Sequence, residues 1–174
     1  MNDTKTPSSR HSSAPACHAP APAAVHHDGC PLCQPQAETL LWHDERLRII
    51  HVLNEPGQPA YFRLIWQAHV KEMSDLAEAD RLHVWDVLNL LEQGMRRFFA
   101  PEKVNLASFG NQVPHLHWHI IGRWASDPQF PGSVWSPVLR AADAPAQQGV
   151  AERVATALPA FQSWLQDQLT ARQR

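Results

Sequence analysis

The sequence has no excess of basic residues: 15 Lys and Arg stand against 17 Asp and Glu, a formal net charge of −2 with His neutral. That balance argues against a nucleic-acid partner, which needs Lys and Arg in surplus. No uninterrupted apolar run approaches the roughly 18 residues that a membrane-spanning helix requires. Met1-Asn2-Asp3-Thr4-Lys5-Thr6-Pro7 is followed by further polar residues rather than the apolar stretch of a secretory signal. The expectation is therefore a cytoplasmic protein with no membrane partner. Tyrosine occurs once against seven tryptophans, a bias that assigns no function, because aromatic residues most often serve core or interface. Cysteine occurs three times, and one of these, Cys17, stands alone in a polar tail.

A chain of 174 residues suits one domain with a sizeable core rather than two. Residues 1–28 are rich in Pro, Ala, Ser and His and carry no apolar periodicity, so they cannot bury enough surface to offset their ordering entropy. They are expected to be a disordered tail, with His11, His18, His26 and His27 solvated. The remainder divides into an expected domain over 29–136 and a helical extension over 137–174.

What organises the chain is Val113-Pro114-His115-Leu116-His117-Trp118-His119-Ile120-Ile121, read as one β-strand. Alternation puts His115, His117, His119 and Ile121 on one face and Leu116, Trp118 and Ile120 on the other. At about 3.3 Å per residue, consecutive histidines lie about 6.6 Å apart, close enough for two to touch one phosphate or one metal. Such a face suits either a metal site or a histidine nucleophile with supporting histidines. Cys30-Pro31-Leu32-Cys33 has the spacing of a redox pair or of half a zinc site. A redox pair should open a helix after a strand, yet only polar tail precedes Cys30, so zinc is the better functional reading; a pair of buried thiols is the bland one.

The flanking elements follow from local pattern. Leu47–Leu53 and Ala60–Trp66 are β-branched and aromatic around Asn54-Glu55-Pro56-Gly57, an antiparallel pair joined by a turn. Asp75 and Glu78 have capping-box spacing, and Val84, Leu88, Leu91, Met95 and Phe98 recur at helical intervals, predicting a helix over 75–99. His83 within it has no evident partner and reads as structural. Val104–Phe109 alternates and should pair with the triad strand through a turn at 110–114, where Gly110 frees the backbone to approach a ligand. Val154, Leu158, Phe161, Leu165 and Leu169 predict a second helix over 151–173, interrupted or kinked at Pro159.

His115-Leu116-His117-Trp118-His119-Ile120-Ile121 resembles the His-φ-His-φ-His-φ-φ motif of the histidine triad (HIT) family of nucleotide hydrolases and transferases, φ being apolar. The likeness extends through Asn105, Gly110, Asn111, Gln112 and Arg123, and more loosely to Cys30, covering roughly residues 30–135. It departs at Ile121-Gly122-Arg123-Trp124, where Pro more often precedes the Arg, which concerns the shape of the following loop. The resemblance implies an α+β fold, a small antiparallel meander sheet with the long helix packed on it, and subunits that dimerise by extending the sheet. It also implies cleavage at the α-phosphate of a purine nucleoside phosphoramidate or dinucleoside polyphosphate through a nucleotidyl-histidine. His117 would be the nucleophile and His119 would donate to a phosphate oxygen. Asn105 and Gln112 would contact the phosphate, and Asn54 the ribose, although a turn residue bonding its own backbone explains Asn54 equally well. Some members join a Cys-x-x-Cys to a later His and to the first triad histidine; here that implies zinc on Cys30, Cys33, His69 and His115, and His115 then either fixes orientation by hydrogen bonding or is spent on zinc, since it cannot fully do both. The alternative is a zinc-stabilised binding or interaction protein without turnover.

Overall fold

The computed structural model describes residues 26–34 and 37–172. The tail expected over 1–28 falls, for residues 1–25, outside the described residues.

Five strands form one antiparallel sheet: β1 (Thr39–His43), β2 (Leu47–His51), β3 (Tyr61–Trp66), β4 (Lys103–Ala107) and β5 (His117–Arg123), in the order β1-β2-β3-β5-β4. Two helices, α1 (Glu78–Phe98) and α2 (Pro145–Arg172), complete an α+β architecture. The β2–β3 and β4–β5 pairings match the sequence expectation. β1 was not anticipated, since it is short, bounded by polar residues and paired on one side only.

Alternation divides the sheet into two faces. On one, Ile49, Phe62, Leu64, Trp66 and Ile120 join α1 through Val84, Leu88, Leu91 and Met95, and α2 through Val154, Phe161, Leu165 and Leu169, in a single core. On the other, Ile50, Tyr61, Ile65 and Ile121 form a small apolar floor beside the histidines. Both helices therefore cover one face and leave the other free of helix.

Three local expectations need correction. The helix expected from Asp75 begins at Glu78, and Asp75 closes a short 3₁₀ turn, Met73–Asp75. The reciprocal cap is formed by Glu72 and Asp75 rather than by Asp75 and Glu78. Leu76 is the reason: it is buried in the core, and Leu76 and Ala77 take extended backbone to put it there. His83 does have a partner. Its Nε2 lies 2.9 Å from Asp44 Oδ2, a residue of the β1–β2 turn that no local pattern connects to the helix. Asp44 also accepts from the backbone N–H groups of Arg46 and Leu47. Burial alone would raise its carboxyl, but the bonds from His83, Leu47 and Arg46 outweigh that and hold it below the ordinary range.

The C-terminal helix starts at Pro145, earlier than expected, and runs on through Pro159 as one element. Proline suits a first helical position because its missing N–H is unused there. At position 159 the carbonyl deprived of its partner belongs to Ala155, which is exposed and can be hydrated. Phe161 holds the helix in place, its ring 4.9 Å from Phe99 and 5.3 Å from Phe62 by centroids. No helix among the described residues is long and apolar enough to cross a membrane.

The α1–α2 contact rests on Gly94. A Cβ added there would meet Phe161 Cε2 at 2.8 Å and Trp164 Cζ3 closer still. In an open helix Gly→Ala gains about 0.5–1 kcal/mol, whereas overpacking against rigid rings costs about 1–3 kcal/mol. Gly94→Ala is therefore expected to destabilise the protein by about 1–2 kcal/mol in denaturant unfolding. A raised midpoint would show that the helices do not meet this closely.

Candidate functional site

β5 begins at His117, so the triad is not wholly on one strand. His115 lies in the irregular segment before it, held because Leu116 N donates to Val70 O at 2.7 Å and Trp66 N donates to Leu116 O at 3.1 Å. Those bonds tie residue 116 to two different parts of the chain, and the period-two alternation starts only after it. His117 and His119 alternate onto the open face as expected, with ring centroids 4.9 Å apart.

Each ring is fixed by a specific bond. His117 Nδ1 lies 2.6 Å from the carbonyl oxygen of His115. A carbonyl only accepts, so Nδ1 carries the hydrogen and Nε2 of the neutral ring is left with its lone pair. His119 Nδ1 lies 2.7 Å from the hydroxyl of Tyr61, the single tyrosine. Burial lowers His117 below its ordinary value, reinforced by the Arg63 charge and opposed by the bond to His115 O. Burial pushes His119 down to about 3, with His117 and Arg63 adding to the effect. Both imidazoles are therefore neutral at pH 7, the nucleophilic form.

These histidines open on a cleft of about 780 Å³ whose walls include Gly110, Asn111, Gln112, Trp135 and the Pro31-Leu32 turn. Trp135 stands edge-on to His119, centroids 5.2 Å apart, and to Phe109 at 4.7 Å. The loop that brings Trp135 there is secured by Arg123. Its Nε donates to Asp127 Oδ2 at 2.7 Å, Nη2 to Gly132 O at 2.9 Å and Nη1 to Asn105 Oδ1 at 2.8 Å.

Of the residues expected to meet substrate, Gln112 lines the triad cleft. Asn105 is placed differently: its side-chain oxygen is engaged by Arg123. Asn54 lines an adjoining cleft of about 650 Å³, bounded by Ile50, Val52 and Thr39, and is absent from the triad cleft. Sequence reasoning passed over Tyr61, Trp135 and Arg63. Tyr61 and Arg63 alternate toward the same face as the histidines, a pattern legible within β3, but nothing local says that this face holds the site.

A second cluster adjoins the first. One ligand atom from each of Cys30, Cys33, His69 and His115 lies within 4.8 Å of the others. His115 Nδ1 is 3.5 Å from both sulfurs, and His69 Nδ1 is 3.3 Å from Cys33 Sγ. Tetrahedral zinc with bonds of about 2.3 Å to sulfur and about 2.0–2.1 Å to nitrogen requires S–N edges of about 3.5 Å, so the spacing fits. The tautomer fits as well. His115 Nε2 lies 2.6 Å from Trp66 O and must donate to it, which turns the bare Nδ1 toward the thiols. Among the described residues both cysteines are free thiols, and burial pushes the Cys33 thiol up. His27, assigned to the tail, donates its N–H to Cys33 Sγ at 3.4 Å and stacks on His69 at 4.9 Å. Arg48, paired with Glu38 at 2.7 Å, donates to Leu32 O and ties the Cys loop to β2.

The HIT domain family model matches residues 34–125. Among solved structures, a histidine triad protein from Sinorhizobium meliloti 1021 is 25% identical over 69% of this chain and 89% of that chain, with a TM-score of 0.53. One from Marinobacter aquaeolei VT8 is 26% identical over 71% of this chain and 90% of its own, also at 0.53. One from Bradyrhizobium japonicum, 22% identical over 78% and 98% with a TM-score of 0.55, is similar in fold. No curated protein was found to match the sequence.

Proposed function

This chain belongs to the HIT domain family, whose members are in general nucleotide-binding hydrolases and transferases, and on that premise we propose that it cleaves at the α-phosphate of a purine nucleoside phosphoramidate or dinucleoside polyphosphate. The observation that carries this reading is the bond from His117 Nδ1 to His115 O, which leaves Nε2 as a bare nucleophile beside a cleft. Nε2 attacks the α-phosphorus, the bond to the leaving group breaks with its electron pair staying on the leaving atom, and a nucleotidyl-histidine forms. His119 Nε2 gives its proton to the leaving atom and recovers one from the water that then attacks the phosphorus, and the P–N bond to His117 breaks to release the nucleotide and the free imidazole. With Tyr61 donating to His119 Nδ1, the hydrogen of His119 sits on Nε2 as a neutral donor for a phosphate oxygen. Gln112 and the backbone at Gly110 and Asn111 complete the phosphate's surroundings.

The test is turnover of a fluorogenic AMP-phosphoramidate by wild type and His117→Ala. Removing the nucleophile should cost roughly a thousandfold or more, and quenched wild-type reactions should yield a nucleotidyl adduct on the His117 peptide. Equal activity in both proteins overturns the mechanism; activity in neither, with no adduct, leaves a binding protein without turnover.

Cys30, Cys33, His69 and His115 would hold zinc, in a structural role, since all four places in the coordination shell are taken by protein. Bound zinc would fix the Pro31-Leu32 wall of the cleft and the carbonyl that orients His117. The free thiols suit the reducing cytoplasm. About one zinc per chain is expected by elemental analysis, with the content lost and the melting temperature lowered in Cys33→Ser. Wild type that carries no zinc as purified and melts no higher when zinc is added would refute the site.

The subunits would form a homodimer. β4 is paired on one side only, and on α1 Leu82 and Trp85 are 58% and 49% exposed, with Trp85 packed on Trp118 of β5. Sedimentation should find a dimer for wild type and a monomer for the Leu82→Glu, Trp85→Glu double variant. A monomeric wild type would end this proposal.

A further inference from the structure

Arg63 is the cation on the open face that no acid among the described residues answers. It occupies the middle strand, directly across from Ile50 of β2 and from His119 of β5. Side chains so paired on one face lie about 4.5–5.5 Å apart at Cβ, so the guanidinium stems from beside the triad. It borders the triad cleft and the adjoining cleft alike and is the only charged residue common to both among the described residues.

The other two arginines set into this face have carboxylate partners. Arg48 is held by Glu38 and Arg123 by Asp127, each at 2.7 Å. Arg63 forms no ion pair among the described residues, and its Nε is buried with no hydrogen-bond partner. Its support comes from Tyr61, whose hydroxyl the side chain approaches and whose ring centroid lies 5.8 Å from the guanidinium carbon. Glu55 lines the triad cleft too, but among the described residues no carboxylate comes within 4 Å of Arg63. A guanidinium has five donors and is always charged, and leaving it half-buried and unpaired is costly unless an anion arrives to satisfy it.

We infer that Arg63 binds the phosphoryl group that His117 attacks, reaching it from the side of the adjoining cleft, and that it makes the site select phosphorylated nucleosides over neutral ones. This rests on the nucleotide reading of the triad cleft. A forked guanidinium and the His119 ring, side by side across one strand pair, form two donors around one phosphate while His117 approaches its phosphorus.

The experiment is calorimetric titration of the full chain with AMP, adenosine and inorganic pyrophosphate, for wild type, Arg63→Met and Arg63→Lys. Wild type should bind AMP at least about tenfold more tightly than adenosine, the factor that a charge-assisted contact of about 1.4 kcal/mol implies. Rising salt should weaken AMP and not adenosine. Arg63→Met should cut the preference several-fold, His119 and Gln112 still meeting the phosphate, and leave adenosine within about twofold, while Arg63→Lys keeps more of it. Unchanged AMP affinity in Arg63→Met overturns the inference, even if the histidine titrations move, because Arg63 would then act on the imidazoles alone. If Arg63→Met does not fold, equal affinity of wild type for AMP and adenosine still overturns it. Failure of wild type to bind either, with pyrophosphate bound in an Arg63-dependent way, refutes the nucleotide reading and retains an anion site; no binding of any probe refutes both.

Discussion

The arrangement turns on the three bonds of His115. One ring nitrogen faces two thiols, the other donates to Trp66 O, and the backbone carbonyl accepts the hydrogen of His117. A single residue thus joins the Cys2His2 cluster, the end of β3 and the bare nitrogen of His117. The sequence left open whether it orients its neighbour or binds metal. The geometry divides the tasks, with the ring given to the cluster and the carbonyl to the triad.

This division requires a sheet with unequal faces. Both helices lie on one side, where Phe161 and Gly94 set their approach, and the opposite side carries only a small apolar floor. On that floor polar residues are tolerated because each is answered: Arg48 by Glu38, Arg123 by Asp127, His119 by Tyr61. Among the described residues Arg63 is the exception, and an unanswered charge beside neutral imidazoles is a place for an anion.

The loop after β5 joins structure to chemistry in a comparable way. Arg123 was noted for its place in a motif, and what it does physically is draw Asp127 and Gly132 against β4 so that Trp135 walls the cleft. The same guanidinium takes the side-chain oxygen of Asn105, which explains why a polar residue sits in an otherwise apolar strand without lining the cleft.

Local pattern alone determined a good deal: the alternation that separates His117 and His119 from Trp118 and Ile120, the apolar stripe of α1, the strand pairs around their turns, and the paired thiols of Cys30 and Cys33. Each is a repeat of two or 3.6 residues, or a spacing within one turn, and so is set by backbone geometry over a few neighbours. Tertiary structure alone decided that β1 completes the sheet edge, that α2 runs through Pro159, that His83 finds Asp44, and that Arg63 and Tyr61 stand beside the triad. Those outcomes depend on contacts between residues tens of positions apart, whose cost and reward appear only when the whole sheet has closed.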